Sequence, residues 1–456
     1  MTKTIKTALY GHSAAVTNPD SVFDYAHPLT GGTERPNIVG LEPVSGQGAT
    51  MFQAQAALSD LTDLSSDSSN AVNNCVDNNA AVLTAVSQLK DAEACAQELA
   101  DQLRHDDLGW VLFFCSAQQD INRFAQALEQ QLPDQDIVGC TTAGEISPLG
   151  YLQGSVCAVG FTRSGFAVET ALIEDLDSFS FNSAQQLMNS MMQRCQQHQK
   201  APMKGHTFVL ALLDGMSEHE EIVLNTLNAA FGSIPLLGGS AGDDLDFANT
   251  QVVYEGRCYP NAAVLMMVNT VFPFMVFSQK HVEESDEVFV ATEVDSEHRR
   301  VYELNAEPAA EVYARAIGCR PDQLTPSLCA QHTLSVRIAG EGFVRAVQRA
   351  NEDGSLTFYC AVERGIVLRK NRHLDIGEEL KKLLDQIEYE LGDQQLILGF
   401  DCIFRLLESN ACQQLGNVSD MLAGYPLVGF NTYGEHINGI HLNATFTGVA
   451  IGQRRR

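Results

Sequence analysis

The sequence predicts an α/β fold: pseudo-repeated strand-helix-strand-strand units forming a mixed sheet core, with an inserted antiparallel meander. Three observations predict it. Near-continuous apolar runs of strand length, such as Trp110-Val-Leu-Phe-Phe-Cys-Ser116, alternate with segments of helical spacing, as in strands covered on both faces. The same order of elements starts again near residues 207 and 396. Each copy also carries a glycine-bearing string behind its second strand: Gly139-Cys-Thr-Thr-Ala-Gly-Glu145, Gly238-Gly-Ser-Ala-Gly-Asp-Asp244 and Gly429-Phe-Asn-Thr-Tyr-Gly-Glu435.

Taken in order, residues 1–44 have turn-forming composition and read as a loose arm, and 49–80, rich in Ala, Ser, Asp and Asn, read as a linker or weak helix. Leu83, Val86, Leu89, Ala92, Ala96 and Leu99 predict one amphipathic helix over 83–104. The first copy has a strand at 110–116, a helix with Ile121, Phe124, Leu128 and Leu132 on one face, a strand at 137–138 and a strand at 155–161. The second has strands at 207–213, 236–237 and 262–268 and a helix that turns Val223, Leu227 and Phe231 inward. The third has strands at 396–400, 427–428 and 445–451 and helix around 403–407. Each glycine string is expected to bend the chain at a strand end, because glycine tolerates positive φ and close backbone approach.

Between the second and third copies, strands are expected at 287–294 and 300–304 and a helix at 307–317. Short strands at 333–338, 343–348, 356–362 and 366–369, separated by turn formers, predict the meander. A helix over 376–391 has Asp375 and Glu378 placed for a capping box. The expected division is 1–107 as arm, linker and helix, then domains over 108–300 and 301–452.

Lys and Arg total 29 against 57 Asp and Glu, a net charge of −28, which argues against nucleic acid or a membrane surface as partner. No run approaches eighteen apolar residues and the first twelve residues lack a signal-peptide core, so the expected location is the cytoplasm. The 12 cysteines show no CxxC and no zinc spacing and read as reduced core residues.

Catalytic motifs are missing: there is no Gly-x-Ser-x-Gly elbow, no HExxH and no dinucleotide fingerprint. Asp214 and Asp401 follow first strands and, with Asp243 and Asp244, leave acid–base hydrolysis as the weakest reading; no enzyme is expected. Gly238, Gly239, Ser240, Gly242 and Asp243 form either a structural turn or a pocket for a neutral or cationic small molecule, since the neighbouring acids would repel phosphate. Among the histidines, His281 follows the aromatic run 271–277 and His441 lies between apolar neighbours, whereas His373 and His298 read as surface residues. A flat apolar pocket with one imidazole is what non-covalent haem requires.

The three glycine strings, with Leu213-Asp-Gly215 and Phe446-Thr-Gly-Val-Ala-Ile-Gly452, resemble the FIST sensory domain in its N- and C-terminal parts over about residues 108–452. Gly399-Phe-Asp-Cys402 and Asn351-Glu-Asp-Gly-Ser355 are most similar to the nitric-oxide-sensing, haem-binding subgroup. That resemblance implies a bacterial cytoplasmic signalling protein that binds haem b, senses nitric oxide and regulates a partner histidine kinase or cyclic-di-GMP enzyme. It implies His281 as the iron ligand, with His441 as second candidate. The alternative expectation is a sensor of an amino-acid-like metabolite without haem.

Overall fold

The computed structural model describes residues 80–338 and 340–454, so the arm and almost all of the linker expected before residue 80 lie outside the described residues. In each copy the first two core strands run parallel around a helix, Leu108–Ser116 with Asp136–Thr142, Thr207–Leu213 with Leu236–Ser240, and Gln394–Cys402 with Leu427–Thr432. The last strand of each copy, Val156–Thr162, Ala263–Thr270 or Thr445–Gly452, returns antiparallel to the first.

The repeat is longer than its sequence signature. Each unit opens one strand and one helix earlier: Val82–Ser87 and Ala92–Gln102, Phe166–Ile173 and Phe181–Gln197, Phe274–Lys280 and Ile376–Leu391. The single helix expected over 83–104 is therefore corrected to a strand followed by a helix. Leu83 and Ala85 are buried while Val82, Thr84 and Val86 are half-buried, a period of two, and the strand pairs antiparallel with Val156–Thr162. Asp91 caps the helix behind it by accepting the Ala94 N–H at 3.0 Å.

Between the second and last core strands each copy extrudes a two-stranded hairpin, which docks on another copy. The hairpin Glu145–Ser147/Gly150–Leu152 pairs with the third copy's Leu427–Thr432, that of Val252–Tyr254/Arg257–Tyr259 with the first copy's Asp136–Thr142, and that of Gly434–Ile437/Ile440–Leu442 with the second copy's Leu236–Ser240. The exchange closes a ring of three six-stranded sheets. Helices cover the outer face of each sheet, and the inner faces share one core, in which Phe114, Phe400 and Phe430 meet with Phe114–Phe430 centroids 4.7 Å apart.

Each glycine string does carry the chain round a bend at a strand end, with Gly144 at φ +124°, but its first glycine does not sit at the bend. Gly139, Gly238 and Gly429 lie inside strands, opposite Phe113, Ala211 and Gly399. A Cβ at Gly429 would sit 1.8 Å from the Gly399 carbonyl oxygen, so that strand pair closes only around glycine. The chain bends after these strands, and the bends bond to one another: Ala143 N–H to Asn431 O at 3.0 Å, Gly242 N–H to Thr141 O at 3.1 Å, and Tyr433 N–H to Ser240 O at 3.2 Å.

Residues 282–373 form an insert between the first strand and the first helix of the third copy. It is an eight-stranded antiparallel sheet, curled by a register shift within Val282–Asp295, with Ala309–Ile317 and Pro326–Ala330 on its core. The meander is shorter-stranded than expected, since Ala346 separates Glu341–Arg345 from Val347–Ala350 and the third strand ends at Phe358. Helix Ile376–Leu391 falls where the sequence puts it, and Asp375 accepts the Glu378 N–H at 2.9 Å. No helix of the described residues is long and apolar enough to cross a membrane.

Candidate functional site

His281 and His373 stand at the two chain crossings between ring and insert, where Val282 pairs with His373 and the Leu374 N–H donates to the His281 carbonyl at 2.8 Å. Both rings turn toward Glu408 of helix Ile403–Ala411. His281 Nε2 lies 2.6 Å from Glu408 Oε2 and His373 Nδ1 2.7 Å from Oε1. The Arg405 guanidinium donates to His281 Nδ1 at 2.9 Å and to Asp401 Oδ1 at 2.6 Å. The backbone N–H of Thr333 donates to His373 Nε2 at 3.4 Å. Guanidinium and amide groups can only donate, so the acceptor nitrogen of each imidazole is fixed and the other nitrogen carries the proton given to Glu408. Burial alone would raise the Glu408 carboxyl, but the two imidazole bonds outweigh it and hold it down to about 2. Burial lowers the His281 imidazole, with Arg405 adding to the effect.

His281 is fully buried, not at a rim, and His373 is half-buried rather than on the surface. Haem iron needs a free axial nitrogen facing a flat apolar space. His281 has both nitrogens engaged in this network, so its surroundings do not fit haem. The sequence singled out His281 and Asp401 separately but gave no signal that joins them, since Glu408 lies 127 positions from His281.

His441 belongs to a second buried cluster, where the insert meets the ring. Glu220 and Glu221 open helix Glu220–Phe231, Arg299 and Cys360 come from the insert, and His441 comes from the third copy's exchanged hairpin. Arg299 Nη2 donates to Glu220 Oε2 at 2.9 Å and to Glu221 Oε2 at 2.8 Å. His441 Nδ1 is 3.3 Å from Glu221 Oε1, while its Nε2 is buried without a hydrogen-bond partner. A Cβ on Gly434 would come within 1.9 Å of that Nε2, so the hairpin backbone fills the space an iron would need. His436, opposite His441 in the same hairpin, is fully buried. Burial and then the charge of His441 press its imidazole down to about 3.

Gly238, Gly239, Ser240, Gly242 and Asp243 are all buried. The first three lie in strand Leu236–Ser240, and the Ser240 hydroxyl bonds Glu220. Asp243 is spent as a loop clamp, accepting the N–H groups of Phe247 at 2.9 Å and of Ala248 and Asn249 at 2.7 Å, together with the Tyr433 hydroxyl. Asp214 is similarly committed to the Met216 and Asn261 N–H groups.

The open space lies elsewhere. A cleft of about 790 Å³ separates the insert's hairpin of Leu334–Ile338 and Glu341–Arg345 from the crossing strands and the third copy's exchanged hairpin. Phe343, Ile440 and Leu442 give it an apolar wall. Lys280 and Arg337 face Glu283, Glu284 and Glu341 around it, so it carries both signs of charge. Arg337 Nε holds Glu284 Oε2 at 2.6 Å, while Glu284 Oε1 is buried without a hydrogen-bond partner. The run 271–281, beside which the sequence leads one to expect a ligand, supplies Ser278 and Lys280 to this cleft, while its other walls come from two distant segments.

Comparison with known proteins agrees with this architecture. The FIST N domain matches residues 109–307 and the FIST C domain residues 309–438. Their boundary falls inside the insert, between strand Arg300–Leu304 and helix Ala309–Ile317. An uncharacterized protein of Methanocaldococcus jannaschii is 21% identical over 402 residues, which cover 79% of this chain and 76% of its own length. FIST domains are associated with sensing small ligands in signalling. The chain is thus a FIST N domain followed by a FIST C domain, wound together into one three-fold ring.

Proposed function

We propose that this protein is a signalling sensor whose ligand, a small zwitterion of amino-acid type, binds the cleft between insert and ring. The observation that carries the reading is the composition of that cleft, an apolar wall beneath paired cationic and anionic side chains contributed by both bodies. A bound zwitterion meets Lys280 or Arg337 with its carboxylate and a glutamate with its ammonium group, and its occupancy depends on how the insert stands on the ring. The output follows from the resemblance to FIST sensors: a partner histidine kinase or cyclic-di-GMP enzyme.

The haem and nitric oxide reading rests on the same resemblance and has less support from the side chains around His281 and His441. An optical titration with haem tests it; a Soret shift abolished in His281→Ala or His441→Ala would restore it. The zwitterion reading is tested by thermal shift against amino acids and related small molecules. A ligand at a hundred times its Kd adds about 2.7 kcal/mol of stability. Arg337→Ala, which removes a partner of Glu284, and Lys280→Ala, which removes a bond to the Gly342 carbonyl, should abolish that gain while changing basal stability by about 1 kcal/mol. Stabilisation that survives both substitutions would move the ligand out of the cleft.

A further inference from the structure

The two buried clusters that join insert to ring differ in one respect. Around Glu408 both imidazoles have donors and acceptors on both sides, and the arrangement is complete without any further group. Around Glu221 it is incomplete. On the side that faces Glu221, His441 Nδ1 makes one long contact of 3.3 Å, and the Cys360 thiol beside it reaches Asn443 Oδ1 at 2.9 Å; the unpartnered Nε2 lies on the far side of the ring, against Gly434. A buried imidazole nitrogen held by a single long contact, next to a carboxylate and a thiol, is a weakly engaged metal-ligand atom.

The donor types indicate which metal. Glu221, Cys360 and His441 offer a carboxylate oxygen, a sulfur and an imidazole nitrogen that all lie within 4.8 Å of one another. Tetrahedral zinc, with bonds of roughly 2.0 to 2.3 Å, holds such atoms about 3.5 Å apart, so the set closes on a metal by movements of about an ångström. Sulfur with imidazole selects zinc-like ions over magnesium or calcium. We infer that Glu221, Cys360 and His441 bind a divalent transition metal of the zinc class and so clasp the insert to the second and third repeats. A water fills the fourth position, since Glu220 Oε2, 3.8 Å from His441 Nδ1, is held by Arg299. Binding displaces the thiol proton of Cys360 and any proton on His441 Nδ1. The Ala361 N–H, 3.0 Å from Glu221 Oε1, steadies the carboxylate, and Arg299 neutralises one of the two glutamates through their other oxygens. One remaining carboxylate charge and one thiolate then match a divalent ion.

The test uses the full chain, stripped with chelator and titrated with Co²⁺ and then Zn²⁺. Saturation at a single equivalent is expected, with a thiolate-to-cobalt charge-transfer band that zinc displaces. Cys360→Ser should remove the band, and His441→Ala and Glu221→Gln should each weaken binding by more than the roughly 10–100-fold that outer-shell changes cause. Cys412→Ser, at an exposed thiol, and Cys75→Ser should leave the band intact. X-ray absorption of the wild-type zinc form keeps the proposal exposed even if the variants misfold; it should show one sulfur at about 2.3 Å. No bound metal, a shell of nitrogen and oxygen alone, or a band lost with Cys412 or Cys75 instead would overturn the assignment. The zwitterion cleft stands or falls separately.

Discussion

Glu145 and Glu435 occupy matching positions in the first and third repeats, and each is fully buried. Glu145 accepts from the Thr142 hydroxyl and from the Ser155 N–H and hydroxyl at 3.1 and 2.7 Å; Glu435 accepts from Thr432 and from the Thr445 N–H and hydroxyl at 3.2 and 2.8 Å. Each carboxyl therefore ties the base of an exchanged hairpin to the strand that follows it. Burial pushes both up to about 8, only partly offset by these bonds. A carboxyl with a raised folded pKa contributes stability that is complete below about 4.5 and drains away as pH rises through about 8. Denaturant midpoints measured from pH 6 to 9 should fall in the wild type, by up to about 1.4 kcal/mol per pH unit per site. Glu145→Gln and Glu435→Gln should flatten that fall, and equal slopes in all three proteins would refute the account. The Gly-Glu signature was legible in the sequence as a repeat, but its role was not, since the groups that define it arrive by hydrogen bonds across ten residues and by strands from another copy.

At the scale of elements, local pattern succeeded where an element satisfies itself and failed where its partner is remote. Ile376–Leu391 has its own cap and its own apolar stripe, and its bounds follow from the sequence. Asp375 also accepts the Gln414 side chain at 2.6 Å, so Asp375→Ala should cost about 1 kcal/mol, read as a lower urea midpoint with unchanged slope. Val82–Ser87 is the opposite case. Leu83, Val86 and Leu89 fit helical spacing, but Leu83 and Ala85 also fit a strand, and the antiparallel partner decides for the strand. The hairpins are the extreme: Asn438-Gly439, at φ +48° and +82°, signals a turn, but nothing local to such three-residue and four-residue strands names the repeat on which they dock.

Within residues 80–454 the three repeats form a ring of sheets that carries the insert. One edge of each copy's sheet is completed by another copy's hairpin, whereas the insert has its own core and meets the ring through two buried polar clusters and an apolar contact in which Ala330, Val344 and Tyr359 join Phe404 and Leu407. The Glu408 cluster stands at both crossings and ties the insert's entry and exit strands to helix Ile403–Ala411. The pH dependence there has the opposite sign to that of Glu145. Glu408, held down to about 2 once folded, contributes stability above about 4.5 that is lost as pH falls toward 2, and His281, lowered by burial, favours the neutral ring and adds loss in the same direction below its ordinary range. Hydrogen exchange should therefore quicken across residues 285–370 on acidification before it quickens in the ring strands. Glu408→Gln keeps the shape but leaves one imidazole N–H facing an amide donor, so it should reproduce that pattern at neutral pH. If the variant instead exchanges faster in the ring and insert alike, the histidine–glutamate cluster holds up the whole fold and not the insert's attachment alone.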